Sequence, residues 1–264
     1  MHNSSLADHL NKKYASQSDK SDLPERVAWY TYPLLEFLEN LDFSQDTVFE
    51  YGSGSSSIYW AKKAKYVQSV EHDYHYYKEA LRLKEELDIN NLSLKLASNE
   101  VLVSDPERVY EFISGLKPLA SLAVIKLLSS TMATENLSFL NSSTRRIRNS
   151  GSFSYLPSEY LMALPISGQS FDLIVVDGMN RSLSGIIAAQ KLNNNGIIIL
   201  DNSDRPMYFL LKQYLSESNF QEIPFVGPGP FNQYTWCTSI FVQSIDAIKS
   251  RSKSTNPRYH RIWF

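Results

Sequence analysis

The feature that most constrains the fold is the stretch VFEYGSGSSSIYWAKKAKYVQSVEHD, which runs from Val48 to Asp73. An apolar strand breaks into a turn with two glycines, a helix follows, and a second strand ends on acidic residues. Gly52 and Gly54 allow the backbone to come close to a ligand, and the start of the next helix offers free N–H groups. This succession predicts an α/β domain that holds an adenosine-bearing cofactor.

The rest of the chain repeats the alternation of strands and helices. The segments FDLIVVDG and GIIILDNSD indicate later strands with a helix between them. Their near-continuous apolar runs predict a parallel sheet that is covered on both faces. Near the end, FQEIPFVGPGP and YTWCTSIFVQS indicate two strands joined by a Pro/Gly turn, which is typical of an antiparallel hairpin. The predicted fold class is therefore α/β, with a doubly wound, mostly parallel sheet and helices on both faces.

A long insertion interrupts this alternation. Roughly 70 residues separate the third strand from FDLIVVDG, whereas connections in α/β units usually take about 2–6 residues. We expect a helical cap over the site at about 104–160, with a mobile basic loop around Arg145, Arg146 and Arg148. The other predicted boundaries are a flexible tail at 1–24, the domain itself at 25–245 and a basic tail at 246–264.

The charge balance gives the chain no global attraction to nucleic acid or membrane. Its formal net charge is −2, from 26 basic and 28 acidic side chains. The single Cys237 excludes an internal disulfide framework and fits a reducing compartment. The polar N-terminus lacks the apolar core of a secretory signal, and the most apolar later run, Leu116 to Leu128, is too short to span a bilayer. We therefore expect a soluble, cytoplasmic protein.

The residues around the glycine turn favour a cationic cofactor. A dinucleotide fingerprint requires a third glycine where this chain has Ser57, and it gives no reason for the carboxylate of Glu50. Two carboxylates fit a cation better than they fit a pyrophosphate. We expect Glu50 to face the sulfonium side of S-adenosylmethionine and Glu71 to accept both ribose hydroxyls. A tight strand-to-helix turn without a ligand is the alternative that the two glycines alone leave open.

Four motifs, FEYGSGSSS, VEHD, FDLIVVDG and GIIILDN, resemble in this order the class I S-adenosylmethionine-dependent methyltransferases. The similarity covers approximately Trp29 to Gln243, apart from the cap. It implies a seven-stranded sheet of order 3-2-1-4-5-7-6 whose last strand is antiparallel, and it implies that WYTYP lies over the amino-acid end of the cofactor. The residues that it implies in cofactor binding are Glu50, Gly52, Ser53, Gly54, Ser56, Glu71, His72, Ser98 and Asp177.

Two of the predicted strands end in oxygen-bearing side chains. Asp177 follows LIVV, and Asp201 and Asn202 follow IIIL, at strand ends that should converge at one edge of the sheet. Such a cluster suits Mg²⁺ or Mn²⁺ and is similar to the metal site of catechol-type and sugar O-methyltransferases, where the ion binds the acceptor hydroxyl. We predict Asp177 and Arg181 as catalytic residues, although Asn180 stands where the catechol-type enzymes place a lysine base.

Alternatives stay open at these positions. Acidic strand ends are common in this fold, and Asn202 would then only cap the next segment. Arg181 and Arg205 would instead bind an anionic or polyhydroxylated acceptor. Tyr155 and Tyr160 either stack on an acceptor ring or pack within the cap.

The predicted function is O-methylation of a small-molecule or sugar-type hydroxyl, with S-adenosylmethionine as cofactor and assistance from Mg²⁺ or Mn²⁺. The expected partner is that small-molecule or glycan acceptor, without nucleic acid or membrane, and a homodimer stays open. A nicotinamide-dependent oxidoreductase would share the doubly wound sheet but lacks its third glycine here. A nucleic-acid methyltransferase would lack its Asn-Pro-Pro-Tyr type motif. A non-catalytic cofactor-binding protein is a further alternative, because the lysine base is missing.

Overall fold

The chain forms one seven-stranded sheet and a separate two-stranded ribbon in the computed structural model, which describes residues 27–98, 144–149, 152–232 and 234–253. The strands are β1 Thr47–Tyr51, β2 Tyr66–Glu71, β3 Leu92–Leu96, β4 Thr144–Asn149, β5 Ser152–Pro157, β6 Phe171–Val176, β7 Leu192–Leu200, β8 Gln221–Gly227 and β9 Trp236–Val242.

The main sheet has the order β3-β2-β1-β6-β7-β9-β8. Neighbouring strands from β3 to β7 are parallel, whereas β9 is antiparallel to both β7 and β8. When the ribbon strands β4 and β5 are left out, this order is 3-2-1-4-5-7-6 with the last strand antiparallel. The predicted fold class and strand order are therefore confirmed.

The helices begin where the sequence provides suitable residues. Pro33 lies in the first turn of the first helix, where its missing N–H leaves no hydrogen bond unmade. Asp73 caps the third helix by accepting hydrogen bonds from the backbone N–H groups of His75 and Tyr76. No helix within the described ranges is long and apolar enough to cross a membrane. The helices are α1 Tyr32–Glu39, α2 Ser55–Ala61, α3 Tyr74–Glu86, α4 Glu159–Ile166, α5 Arg181–Lys191, α6 Phe209–Glu217 and α7 Asp246–Lys249.

The central strands bury side chains on both faces of the sheet, as their apolar runs predict. Successive side chains of a strand point to opposite faces. On β6, Ile174 and Val176 belong to one core with α4, α5 and α6, while Leu173 and Val175 belong to the other with α1, α2 and α7. Helices therefore cover both faces of the sheet in the part of the chain that the structure describes.

The prediction of a loop in the insertion is wrong for part of its residues, which form strands. Residues 144–149 and 152–157 pair as the antiparallel ribbon β4–β5, in which Arg146 lies opposite Tyr155 and Arg148 opposite Phe153. The predicted returning helix exists but begins at Glu159, where the Ser158 side chain caps it. The rest of the insertion, at 99–143, lies outside the described residues, as does the predicted tail at 1–24.

The predicted domain boundary at residue 245 is also wrong. Helix α7 packs against the sheet, and Ser252 forms a β-bridge with Leu41. The Arg251 side chain is buried, forms an ion pair with Asp46 and donates hydrogen bonds to the Asn195 carbonyl at 2.8 Å and the Ala247 carbonyl at 2.7 Å. The domain therefore continues to residue 253 at least, and the part of the predicted tail at 254–264 lies outside the described residues.

We expect Arg251→Ala to lower the free energy of unfolding by about 2 kcal/mol, because it leaves two carbonyls and a carboxylate without their donor. Burial raises the pKa of Asp46 in spite of Arg251, so proton uptake by Asp46 will offset part of the loss. The control is Lys249→Ala, whose exposed pair with Asp246 at 3.9 Å should contribute less than about 0.5 kcal/mol. Urea unfolding measures both, and equal stability of the two variants would contradict this role of Arg251.

Candidate active site

A cleft of about 670 Å³ opens at the carboxyl ends of β1, β2, β6 and β7. This is the edge where open α/β sheets bind ligands, at the point where the strand order reverses, and the volume is in the range of small-molecule sites. Of the predicted site residues, those that line the cleft are Gly52, Ser53, Gly54, Ser56, Glu71, His72, Asp177, Arg181, Asp201 and Asn202. Glu50 and Ser98 are not among the lining residues.

The turns after β1 and β6 touch each other through two glycines. Gly52 has a φ of +99°, and a β-carbon there would lie 2.7 Å from the backbone of Gly178. A β-carbon on Gly178 would lie 1.9 Å from the hydroxyl oxygen of Tyr160. Gly54 differs, because a β-carbon there would enter open space. Gly52 and Gly178 are therefore required by packing, whereas the absence of a side chain at Gly54 leaves room in the cleft for a ligand.

Glu50 lies beneath the turn after β1 and is not among the residues that line the cleft. That it faces the sulfonium side of a cofactor stays a prediction. Its side chain is fully buried, and Oε2 accepts hydrogen bonds from the Ser57 hydroxyl and, at 2.7 Å, from the Ser69 hydroxyl. The Ser57 hydroxyl in turn accepts the Gly54 N–H at 3.1 Å, and the Ser53 and Ser69 hydroxyls share a hydrogen bond of 2.7 Å. Glu50 thus supports the glycine turn from below.

The second oxygen of Glu50 indicates a ligand of positive charge. Within the described part of the chain, Oε1 is buried and has no hydrogen-bond partner. Burial raises the pKa of Glu50 to about 7, although nearby serine hydroxyls lower it. A cation brought into the cleft would favour the ionised carboxylate and offset part of its cost of burial.

Glu71, at the end of β2, holds the walls of the cleft through backbone N–H groups. Its Oε1 accepts from His72 at 2.8 Å and Asp73 at 2.7 Å, and its Oε2 accepts from Ser53 at 2.7 Å. A carboxylate offers about two acceptor sites on each oxygen, so one site is left, on Oε2. The His72 Nδ1 also lies 2.8 Å from Oε1, though outside hydrogen-bond geometry. Glu71 can therefore accept one ribose hydroxyl in this arrangement, where the sequence predicted two.

Arg181 joins the ends of β6 and β7 through four hydrogen bonds. Its Nε donates to the Gly178 carbonyl at 2.9 Å, and its Nη1 donates to the Asp201 carbonyl at 2.6 Å and to Asn202 Oδ1 at 3.0 Å. Its Nη2 donates to the Asp177 carbonyl at 2.7 Å and forms an ion pair with Asp177 Oδ1 at 3.0 Å. All three nitrogens of the guanidinium therefore bind protein oxygens, so Arg181 is suited to holding the strand ends, whereas the sequence-based alternative had it bind an acceptor.

The predicted metal site does not fit this arrangement. Asp177, Asp201 and Asn202 do meet at one point, but the Arg181 guanidinium already supplies the positive charge between their oxygens. Asp201 Oδ1 accepts hydrogen bonds from Trp236 Nε1 at 2.9 Å and from the Thr238 hydroxyl at 2.6 Å. No group of three metal-binding His, Cys, Asp or Glu side chains occurs among the described residues.

The carboxyl group of Asp177 has an unusual pKa within this network. Burial raises the pKa of Asp177 well above its ordinary value, and the charge of Asp201 raises it further. Arg181 acts in the opposite direction, and Glu50 adds a smaller upward shift. The side chain is 20% exposed and lines the cleft, so it can exchange a proton with a bound molecule. A carboxyl group with a raised pKa at this position can act as a general base once it is ionised.

Other predicted residues have packing roles. Tyr160 is fully buried against Tyr51 and His72 in the core beside the main sheet, not within the cap, and its N–H donates to the Ser98 carbonyl at 3.3 Å. In WYTYP, Trp29 lines the cleft, whereas the Tyr30 hydroxyl accepts the Trp60 Nε1 hydrogen bond at 3.0 Å inside the core. Only the first residue of that motif is therefore placed for ligand contact.

The sequence reasoning missed the aromatic loop between β8 and β9. Phe231, Asn232 and Tyr234 line the cleft, and the Phe231 ring stacks on that of Trp29 with centroids 4.1 Å apart. The signal was present in GPGPFNQYTW, where aromatic residues stand in a Pro/Gly turn that follows a strand of the sheet. Because β8 is parallel to β7, its carboxyl end delivers this loop to the same edge as the cleft.

The strand order, the glycine turn after β1 and the acidic ends of β2 and β6 together define the fold of the class I S-adenosylmethionine-dependent methyltransferases. The nicotinamide-dependent alternative loses its support, because the dinucleotide-binding fold has the order 3-2-1-4-5-6 without an inserted antiparallel strand.

Comparison with known proteins gives weak likenesses. No family model matches the chain, and no curated protein matches it. Among solved structures, a methyltransferase from Pyrococcus furiosus is 15% identical, with a TM-score of 0.44 over 90% of this chain and 98% of that chain. An O-methyltransferase of tomaymycin synthesis from Streptomyces achromogenes is 13% identical, with a TM-score of 0.43 over 90% of each chain. An rRNA methylase from Streptococcus thermophilus is 12% identical, with a TM-score of 0.38 over 81% of this chain and 98% of that chain.

We expect Arg181→Met to lower the free energy of unfolding by about 3–5 kcal/mol, because it leaves two carboxylates and three carbonyls at the sheet edge without a cation. Arg205→Met is the matched control in the same cleft and should change stability by less than about 0.5 kcal/mol. Addition of Mg²⁺ should not raise the melting temperature of the wild-type protein, since a bound ion would stabilise it. A rise with Mg²⁺ that Asp201→Asn removes would instead restore the metal site.

The raised pKa of Asp177 predicts a pH-dependent stability. The folded state binds the Asp177 proton more tightly than the unfolded state, so stability falls as pH rises from about 4 to the raised pKa. Asn cannot ionise, so Asp177→Asn removes this dependence on pH. The free energy of unfolding of the variant minus that of wild type should therefore rise over this pH interval and stay constant above the raised pKa. Urea unfolding at closely spaced pH values measures it. Parallel pH profiles for the two proteins would contradict the raised pKa.

Proposed function

We propose that the protein is an S-adenosylmethionine-dependent methyltransferase that methylates a hydroxyl group of a small molecule. The observation that carries the proposal is the glycine turn after β1, which is supported from below by Glu50 and held from the side by Glu71. This turn lies where β1 is flanked by β2 on one side and β6 on the other, which is the ligand position of doubly wound sheets.

The residues of this chain fit the proposed cofactor at both of its polar ends. Glu50 Oε1, buried and without a partner among the described residues, suits the positive charge of the amino-acid part. Glu71 keeps one acceptor site for a ribose hydroxyl, and Gly54 leaves the space above the turn open. When bound, S-adenosylmethionine supplies an electrophilic methyl group on a sulfonium centre.

The neighbouring part of the cleft would receive the acceptor. We assign the Asp177 carboxylate to take the proton of the acceptor hydroxyl, because it is exposed to the cleft and its pKa is raised by burial and by Asp201. Arg181 is a positioning residue: its donors fix both oxygen-bearing strand ends and limit how far the Asp177 pKa rises. No metal ion is required in this proposal, because the Arg181 guanidinium lies where the ion would.

The cofactor is tested by calorimetry with S-adenosylhomocysteine, which should bind, while NAD should give no heat. Glu71→Ala should weaken binding by about 1.5–3 kcal/mol, the usual cost of losing hydrogen bonds to a charged group. The matched control is Glu79→Ala in the same cleft, where the carboxylate pairs with Arg82 at 2.7 Å, and its affinity should stay near normal.

The two stated alternatives give different results in this experiment. Binding of NAD without binding of S-adenosylhomocysteine would reject the proposed cofactor. Binding of S-adenosylmethionine with no methyl transfer to any hydroxyl compound, in wild type as in Asp177→Asn, would favour a non-catalytic binding protein.

A further inference from the structure

One wall of the cleft consists of aromatic rings, two of which are largely exposed. Phe231 is 59% exposed and Tyr234 is 57% exposed, although both line the cleft. Trp29 stacks on Phe231 with an interplanar angle of 12°, which holds both rings parallel. Exposed aromatic surface of this kind favours the burial of another flat ring by stacking.

Arg205 adds a cation with unused donors to the same cleft. It is exposed in the turn that follows β7, lines the cleft, and makes no ion pair or side-chain hydrogen bond with any residue in the described ranges. It differs in this respect from Arg181, whose three guanidinium nitrogens all donate to protein oxygens. A guanidinium with a free edge binds a carboxylate through two parallel hydrogen bonds.

Two oxygens of the same cleft are already engaged by protein partners. Asn202 Oδ1 accepts from Arg181, and Asp201 Oδ1 accepts from Trp236 and Thr238. Arg205 and the exposed rings of Phe231 and Tyr234 belong to the same lining. A flat ligand that carries one negative charge would make use of both the cation and the ring surface.

We propose that the acceptor is an aromatic acid: a flat ring that stacks on the wall of Trp29, Phe231 and Tyr234, with a carboxylate bound by Arg205. The ring would present its hydroxyl to Asp177, which lines the same cleft. This inference rests on the proposed function, since it names the substrate class of that site. It replaces the wider expectation of any small-molecule or sugar-type hydroxyl.

The test is a binding measurement on the full chain saturated with S-adenosylhomocysteine. The probes are 3,4-dihydroxybenzoate, the longer 3,4-dihydroxycinnamate and the two-ring 3-hydroxy-2-naphthoate, each compared with its neutral alcohol, and glucuronate as the sugar acid. We expect at least one aromatic acid to bind about tenfold to a hundredfold more tightly than its alcohol, the usual effect of a hydrogen bond to a charged group. Glucuronate should bind more weakly than that aromatic acid.

Two variants separate the contribution of the Arg205 charge to binding from that of the aromatic rings. Arg205→Gln should remove the preference for the acid over the alcohol and leave the affinity of the alcohol unchanged. Phe231→Ala should weaken the acid and the alcohol by the same factor, since both lose the stacking surface. The controls are Lys249→Gln, an exposed cation on α7 outside the cleft lining, and Phe209→Ala, a 68% exposed ring that is also outside it.

Each outcome decides between the two proposals. If S-adenosylhomocysteine binds but no aromatic acid is preferred over its alcohol, or if Arg205→Gln keeps the preference, the acceptor class is wrong and the methyltransferase proposal stands. If glucuronate binds more tightly than every aromatic acid, the acceptor is a sugar acid and the inference is overturned. If S-adenosylhomocysteine does not bind to the free protein, the proposed function itself fails.

Discussion

The carboxyl edge of the sheet depends on how one guanidinium neutralises two neighbouring acidic strand ends. Parallel strands bring Asp177 and Asp201 together, and two carboxylates that are close together and buried repel each other. Arg181, the first residue of α5, offsets this repulsion because its side chain binds backbone and side-chain oxygens of both strand ends. Arg181 thereby ties the ends of β6 and β7 together at one edge of the cleft.

The cofactor side of the cleft, in contrast, contains a buried negative charge that is only partly neutralised. Glu50 and Glu71 are both buried, and each supports the turn after β1 through hydrogen bonds; neither forms an ion pair with a Lys or Arg of the described residues. The raised pKa of Glu50 expresses the cost of this arrangement. A cationic ligand in the cleft would reduce that cost.

The third part of the cleft is the loop between β8 and β9, at the end of the sheet that contains the antiparallel strand. Because β9 runs against its neighbours, the connection from β8 to β9 lies at the carboxyl edge beside the ends of β6 and β7. It brings Phe231 onto Trp29, a residue about two hundred positions away in the chain. The strand that distinguishes this sheet from the dinucleotide-binding order is thus also the strand that supplies the aromatic wall.

The sequence by itself determined the fold class and the glycine turn, because apolar runs and glycines act locally and repeat along the chain. The strand order followed from the resemblance of its motifs to the class I methyltransferases. The sequence did not reveal the ribbon of 144–149 and 152–157, whose first strand carries three arginines around a single isoleucine, nor the packing of Arg251 beyond residue 245. It brought Asp177, Asp201 and Asn202 together correctly but could not choose their cation. Only the tertiary structure decided this, since the cation is the Arg181 side chain, whose three nitrogens donate to oxygens at two separate strand ends.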